Sequence, residues 1–131
     1  MLSAALSRRC VSSLSSPSAA APHAWIVLEY VFKARDTTEL LAARAPFRAA
    51  HLAHVAAAPS VALGGALGPP VGSIGDIGGG GSGGSGSLGG LILFRGGDSA
   101  EAVRFAENDP YFKAGLVARY YVRPWTVVLE R

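Results

Sequence analysis

A dense run of apolar residues begins at Trp25. Trp25-Ile26-Val27-Leu28-Glu29-Tyr30-Val31-Phe32 has the β-branched and aromatic content of a strand. Ile26, Leu28, Tyr30 and Phe32 fall on one face, while Trp25, Val27 and Val31 make the other nearly as apolar. Both faces therefore call for cover. From about Thr37 to Ala58 the pattern turns helical, dominated by Ala, Leu and Arg, with Thr38 or Asp36 available as the cap. Pro46 divides this stretch, because proline suits a first helical turn and not a helix interior. The expectation is a short helical turn to about Arg44, then a main helix from Pro46 to Ala58. That helix would bury Phe47, Ala50, Leu52 and Val55 and stop at Pro59.

Val61, Leu63 and Leu67 alternate with small residues and predict a second strand, ending near Gly68-Pro69-Pro70. Leu91-Ile92-Leu93-Phe94 predicts a third. Ser99 to Glu107 starts as a helix, with Ser99 as cap, an early acid, and Val103 and Ala106 facing inward. Ala118 to Leu129 predicts a long final strand containing Tyr120, Tyr121, Val122, Trp125, Val127 and Val128. The order βαββαβ is that of an α+β, ferredoxin-like domain: a four-stranded antiparallel sheet with both helices on one face. Two helices cover only that face. The apolar groups left on the other exceed what a soluble monomer normally exposes, so a two-fold homodimer, sheet against sheet, is expected.

Composition adds two segments outside this pattern. Pro69 to Gly90 is built mainly of glycine and serine and reads as a flexible loop inserted in the 24–131 domain. Gly81, Gly83 and Gly86 match the GxGxxG expression, yet the segment leads into a strand instead of opening a helix, so no dinucleotide cofactor is inferred. Residues 1–23 are rich in Ser and Ala, carry Arg8 and Arg9 and lack acids, as an organellar targeting leader does. Mitochondrial localisation is expected, with plastid or cytoplasm as alternatives; Cys10, the single cysteine, would leave with the leader.

The net charge of +3 belongs largely to that leader, since ten basic residues face nine acidic ones from Trp25 onward. No Lys/Arg stripe remains, which argues against a nucleic-acid partner. No apolar run is long enough for a membrane-spanning helix.

The candidate chemistry is concentrated in two places. His51 and His54 lie three apart on the main helix, but no nearby acid or thiol completes a metal set, and no metal is expected. His51 stands near that helix's start with Arg48 one turn earlier on roughly the same side. Histidine is the side chain suited to general acid–base work near neutral pH, and a carboxylate is its natural partner. Asp109 is the candidate. In a split βαβ topology the first helix begins and the second ends at one edge of the sheet, which brings His51 and Asp109 to the same end of the domain. Asp109 also precedes Pro110 and has a second reading as an ordinary helix cap; its two oxygens allow both.

These residues resemble those of the YciI-like, or YCII-related domain, proteins. The resemblance rests on Arg48-x-x-His51-Leu52, on Gly68-Pro69 after the second strand, on Asp109-Pro110-Tyr111 with Gly115 beyond it, and on Val122-Arg123-Pro124-Trp125. It covers about Trp25 to Leu129. It implies a ferredoxin-like fold assembled as a dimeric α+β barrel, with a His–Asp pair, here His51 and Asp109, in a pocket at one end of each protomer. Some members of the family eliminate or dehalogenate small cyclic compounds. The resemblance thus points to a lyase- or isomerase-like enzyme acting on a small polar or cyclic metabolite, with Arg48 and Tyr111 as candidate substrate contacts. Arg48 has a second reading as a solvated helix-face residue, and Tyr111 as packing beneath the helix end. The alternative for the whole protein is a non-catalytic dimeric ligand-binding or assembly module. Two departures stand out: Ala49 follows Arg48 where relatives often have proline, and the Gly/Ser insertion is long for the family.

Overall fold

The computed structural model describes residues 24–71, 88–96 and 98–131. The leader expected over 1–23, the GxGxxG match and the greater part of the loop expected over 69–90 lie outside the described residues. The chain runs β1 (Ala24–Phe32), α1 (Thr37–Arg44), a 3-10 turn (Ala45–Phe47), α2 (Arg48–Ala56), β2 (Val61–Leu67), β3 (Gly89–Arg95), α3 (Ser99–Asn108), the short α4 (Pro110–Lys113) and β4 (Val117–Thr126). The sheet has the order β2-β3-β1-β4 with every pairing antiparallel, which is the ferredoxin-like arrangement.

Register assigns each strand residue to a face. Ile26, Leu28 and Tyr30 lie opposite Phe94, Ile92 and Gly90 on one side and Pro124, Val122 and Tyr120 on the other. Ile26, Leu28, Tyr30, Phe32, Ile92, Phe94 and Val117 form the sheet's share of the core, met by Leu40, Ala102, Phe105, Ala106 and Tyr111 from the helices. The opposite face carries Trp25, Val27, Val31, Leu91 and Leu93 with Leu63, Leu67, Tyr121 and Trp125. Of these, Leu63 and Trp125 remain 65% and 45% exposed. Glu29, Arg119 and Arg123 also stand on that face, Arg123 over the ring of Tyr121. Among the described residues no helix is long and apolar enough to cross a membrane.

Several expectations change in detail. Gly89 and Gly90, assigned above to the flexible loop, are buried residues of β3. A Cβ on Gly89 would stand 2.7 Å from the Tyr30 carbonyl oxygen, so the central strands approach too closely there for any side chain. The final strand ends at Thr126, short of Leu129. Asp98, one residue before the expected Ser99, caps α3 by accepting from the Ala100 amide at 2.9 Å. Asp36, one of the two candidates, caps α1. Pro46 lies within a 3-10 turn, and Arg44, Ala45 and Arg48 around it keep right-handed helical dihedrals. The chain therefore stays helical through the proline.

The largest difference concerns α2. It has no fully buried residue: Phe47 just before it and Ala50 are exposed, Leu52 is 49% exposed, and Val55 is only partly buried. The cause lies across from it, where Gly64 and Gly90 put no side chain on the helix-facing side of the sheet. The inner side of α2 faces a cavity instead of a packed core.

Candidate active site

That cavity has a volume of about 280 Å³. Arg44, Arg48, His51, Leu52 and Val55 enter it from the helical side. Tyr30, Phe32, Gly64, Gly90 and Ile92 enter from the sheet, and Tyr111 closes the end.

Asp109 anchors the site. It is 0% exposed and sits at the junction of α3 and α4, where Pro110 prevents α3 from simply continuing. Its Oδ1 accepts from the Tyr111 amide at 2.9 Å, which caps α4. Its Oδ2 accepts from the Tyr30 hydroxyl at 2.9 Å. His51 Nδ1 lies 2.9 Å from both carboxylate oxygens. The two readings of Asp109, cap and histidine partner, are thus both realised, and three donors satisfy a charge that burial would otherwise penalise heavily.

With Nδ1–H directed at the carboxylate, the neutral imidazole carries its lone pair on Nε2. The ring lines the cavity, and Nε2 has no hydrogen-bond partner among the described residues. The Tyr111 ring stacks on it at 4.1 Å between centroids and 17° between planes. The carboxylate and this stacked ring together restrict the imidazole's rotation. Tyr111 has its own support: Gly115, at φ +76°, ends α4 with the Gly115 amide bonded to the Phe112 carbonyl and the Leu116 amide to the Tyr111 carbonyl. This is a Schellman cap, which needs a residue free to adopt left-handed φ.

Burial pushes the Tyr30 phenol upward, and the neighbouring Asp109 carboxylate adds to the effect, so Tyr30 holds its proton as a fixed donor. Burial likewise raises the Tyr111 phenol, against the opposing pull of the Arg44 and Arg48 charges. His54, the other histidine of α2, is occupied elsewhere: its Nε2 donates to the Phe105 carbonyl at 2.8 Å and its ring packs on Phe105. Among the described residues no group of three or more His, Cys, Asp or Glu is placed to hold a metal ion.

The profile of the YCII-related domain matches residues 28–126. The chain belongs to the YCII-related domain family. Among solved structures, this YCII-related domain is similar to the 5-chloro-2-hydroxyhydroquinone dehydrochlorinase TftG from Burkholderia phenoliruptrix AC1100, determined in complex with 2,5-dihydroxybenzoquinone. The identity is 29%, the TM-score 0.50, and the match covers 77% of this chain and 93% of that one. A second structure, the cofactor-independent oxygenase SnoaB from Streptomyces nogalater, matches with 11% identity and a TM-score of 0.44, over 82% of this chain and 94% of that one. No curated protein matches.

All four site residues singled out from the sequence line or adjoin one cavity. Two others, Tyr30 and Arg44, were not anticipated. A hydroxyl on an otherwise wholly apolar buried strand face was the available sign for Tyr30, since a buried phenol needs a partner. For Arg44 it was the stripe Arg44, Arg48, His51, Val55, spaced four, three and four along a helix. Pro46, a helix breaker by residue type, masks that stripe in the sequence.

Proposed function

We propose that this YCII-related domain protein is an acid–base enzyme of the lyase or isomerase type acting on a small cyclic, hydroxylated metabolite. One observation carries this reading: a fully buried carboxylate holds the His51 imidazole by Nδ1 at 2.9 Å while the other edge of the ring borders a cavity. Nε2 takes a proton from an acidic O–H or C–H of the bound ring. The released electron pair moves into the ring system, where it expels a leaving group or relocates a double bond. Asp109 stabilises the imidazolium formed in that step, and the proton then passes to product or solvent. Arg48 stands at the cavity where a developing oxyanion would be met. Its volume suits a single substituted ring, since about 150 Å³ already accommodates benzene. The likeness to a dehydrochlorinase supports the same chemistry. The protein is proposed to work as a homodimer joined through its open sheet face.

The test is turnover of a panel of hydroxylated aromatics and quinones that includes 5-chloro-2-hydroxyhydroquinone, followed by halide release and by deuterium exchange in heavy water. His51→Asn is expected to lower turnover by about 10²–10⁴-fold, the usual contribution of a positioned acid or base. Asp109→Asn keeps a capping side chain but loses the charge that fixes the tautomer, and is expected to lose a comparable factor. Full activity in His51→Asn removes the role assigned to it. Binding of 2,5-dihydroxybenzoquinone with no turnover of any compound would instead identify a non-catalytic ligand-binding module.

A further inference from the structure

Resting on the His51–Asp109 reading, we propose that the cavity selects a planar anion, and that Arg44 and the Tyr111 hydroxyl form the subsite that holds its charged oxygen. Arg44 ends α1, and its guanidinium carbon lies 5.6 Å from the Phe32 ring centroid and 5.8 Å from that of Tyr111. Packing between two rings explains the plane of the guanidinium, and a helix C-terminus favours a cation. Neither explains its Nε–H, which is buried with no hydrogen-bond partner among the described residues. The Tyr111 hydroxyl, on a side chain only 2% exposed, likewise finds no acceptor among the described residues, with the Arg48 guanidinium on its oxygen side. Buried polar groups are ordinarily satisfied, and two orphans beside one cavity point to a shared acceptor from outside the chain.

The chemistry of that acceptor follows from the donors. A guanidinium only donates, and the buried phenol keeps its proton. Arg44 and Arg48 join no ion pair among the described residues, and the one carboxylate close by, Asp109, is committed to His51, Tyr30 and the Tyr111 amide. A half-buried Arg44 without a carboxylate partner, the exposed Arg48 at the cavity and a phenolic donor suit an ionised oxygen, such as a carboxylate, phenolate or enolate. The lining suits a flat ligand, since it combines the rings of Phe32 and Tyr111 with bare backbone at Gly64 and Gly90. Arg44 is a specificity residue here, and His51 remains the group that moves the proton.

Benzoate and benzamide, nearly the same size and differing in charge, test this by calorimetric titration of the intact protein. Wild type is expected to bind benzoate at least about tenfold more tightly than benzamide, the scale of one charge-assisted hydrogen bond. Arg44→Gln is expected to abolish that preference, Arg44→Lys to restore part of it, and His51→Asn to leave it in place. Melting temperature reports any fold defect in Arg44→Gln. Tyr111→Phe then carries the test: it keeps the stacked ring and removes an unpaired hydroxyl, so benzoate binding weakens while the melting temperature holds or rises. Equal affinity of wild type for the two probes, binding of neither, or an unchanged preference in Arg44→Gln overturns the proposal. Turnover that depends on His51 beside a charge preference indifferent to Arg44 removes this subsite alone. An Arg44-dependent preference without His51-dependent turnover removes the acid–base reading alone.

Discussion

Tyr30 stands among apolar neighbours on the buried face of β1 and spends its one polar atom on Asp109. A hydrogen bond to a buried carboxylate is worth about 1.5–3 kcal/mol, so Tyr30→Phe is expected to lose roughly that much stability in urea unfolding near neutral pH. Alkaline pH gives a second signature. An unfolded tyrosine releases its proton near pH 10, whereas burial and Asp109 keep the folded Tyr30 protonated above that point. The folded state then binds more protons than the unfolded one, and stability falls as pH rises past 10. The gap between wild type and Tyr30→Phe should therefore narrow by about 1.4 kcal/mol per unit above pH 10. A constant gap would show that burial and Asp109 together leave the folded Tyr30 phenol titrating as it does in the unfolded chain. At this scale, residue type made His51 and Asp109 readable along the chain, because an imidazole near a helix start and an Asp-Pro step are visible as letters. Tyr30 and Arg44 were not, because their roles depend on what faces them.

Elements decide how those side chains are aimed. The Schellman cap at Gly115 ties the Tyr111 carbonyl to the Leu116 amide, and Tyr111 in turn stacks on His51. Gly115→Ala forces a Cβ into left-handed φ at a cost of about 1–2 kcal/mol. It is expected to lower the melting temperature and to weaken turnover through a displaced Tyr111. Gly64 offers the opposite test. A Cβ there would meet the Ile92 side chain at 3.6 Å, an ordinary contact, and the rest of a valine would project into the cavity. Gly64→Val suits a strand and is expected to hold or raise the melting temperature while abolishing ligand binding. A Gly64→Val protein that binds as wild type does would mean the cavity is not the site. Strand order and helix positions were legible from periodicity, since β1, β2, β3 and α3 carry clear patterns. Periodicity misleads at α2 for the same reason: its apolar residues suggest a core-facing side, and only the glycines opposite it determine that a cavity lies there.

At the scale of the molecule, no helix among the described residues covers the sheet face that carries Trp25, Leu63, Leu67, Tyr121 and Trp125. Sheet-to-sheet dimerisation would remove that surface from water. Wild type is expected to sediment as a dimer, and Leu63→Glu with Trp125→Glu, which sets charges at two of its most exposed apolar positions, as a folded monomer by circular dichroism. A wild-type protein that stays monomeric at high concentration would leave the face unexplained by self-association.

Read alone, the chain determined its strand and helix order, its open apolar face and the residue types able to transfer a proton, because these depend on local periodicity and side-chain chemistry. Tertiary structure decided how they combine. It set both oxygens of Asp109 to work at once, kept Arg44 on the cavity stripe through Pro46, and opened a space beneath α2. Each of these depends on distances between segments remote in sequence, and no local pattern encodes those.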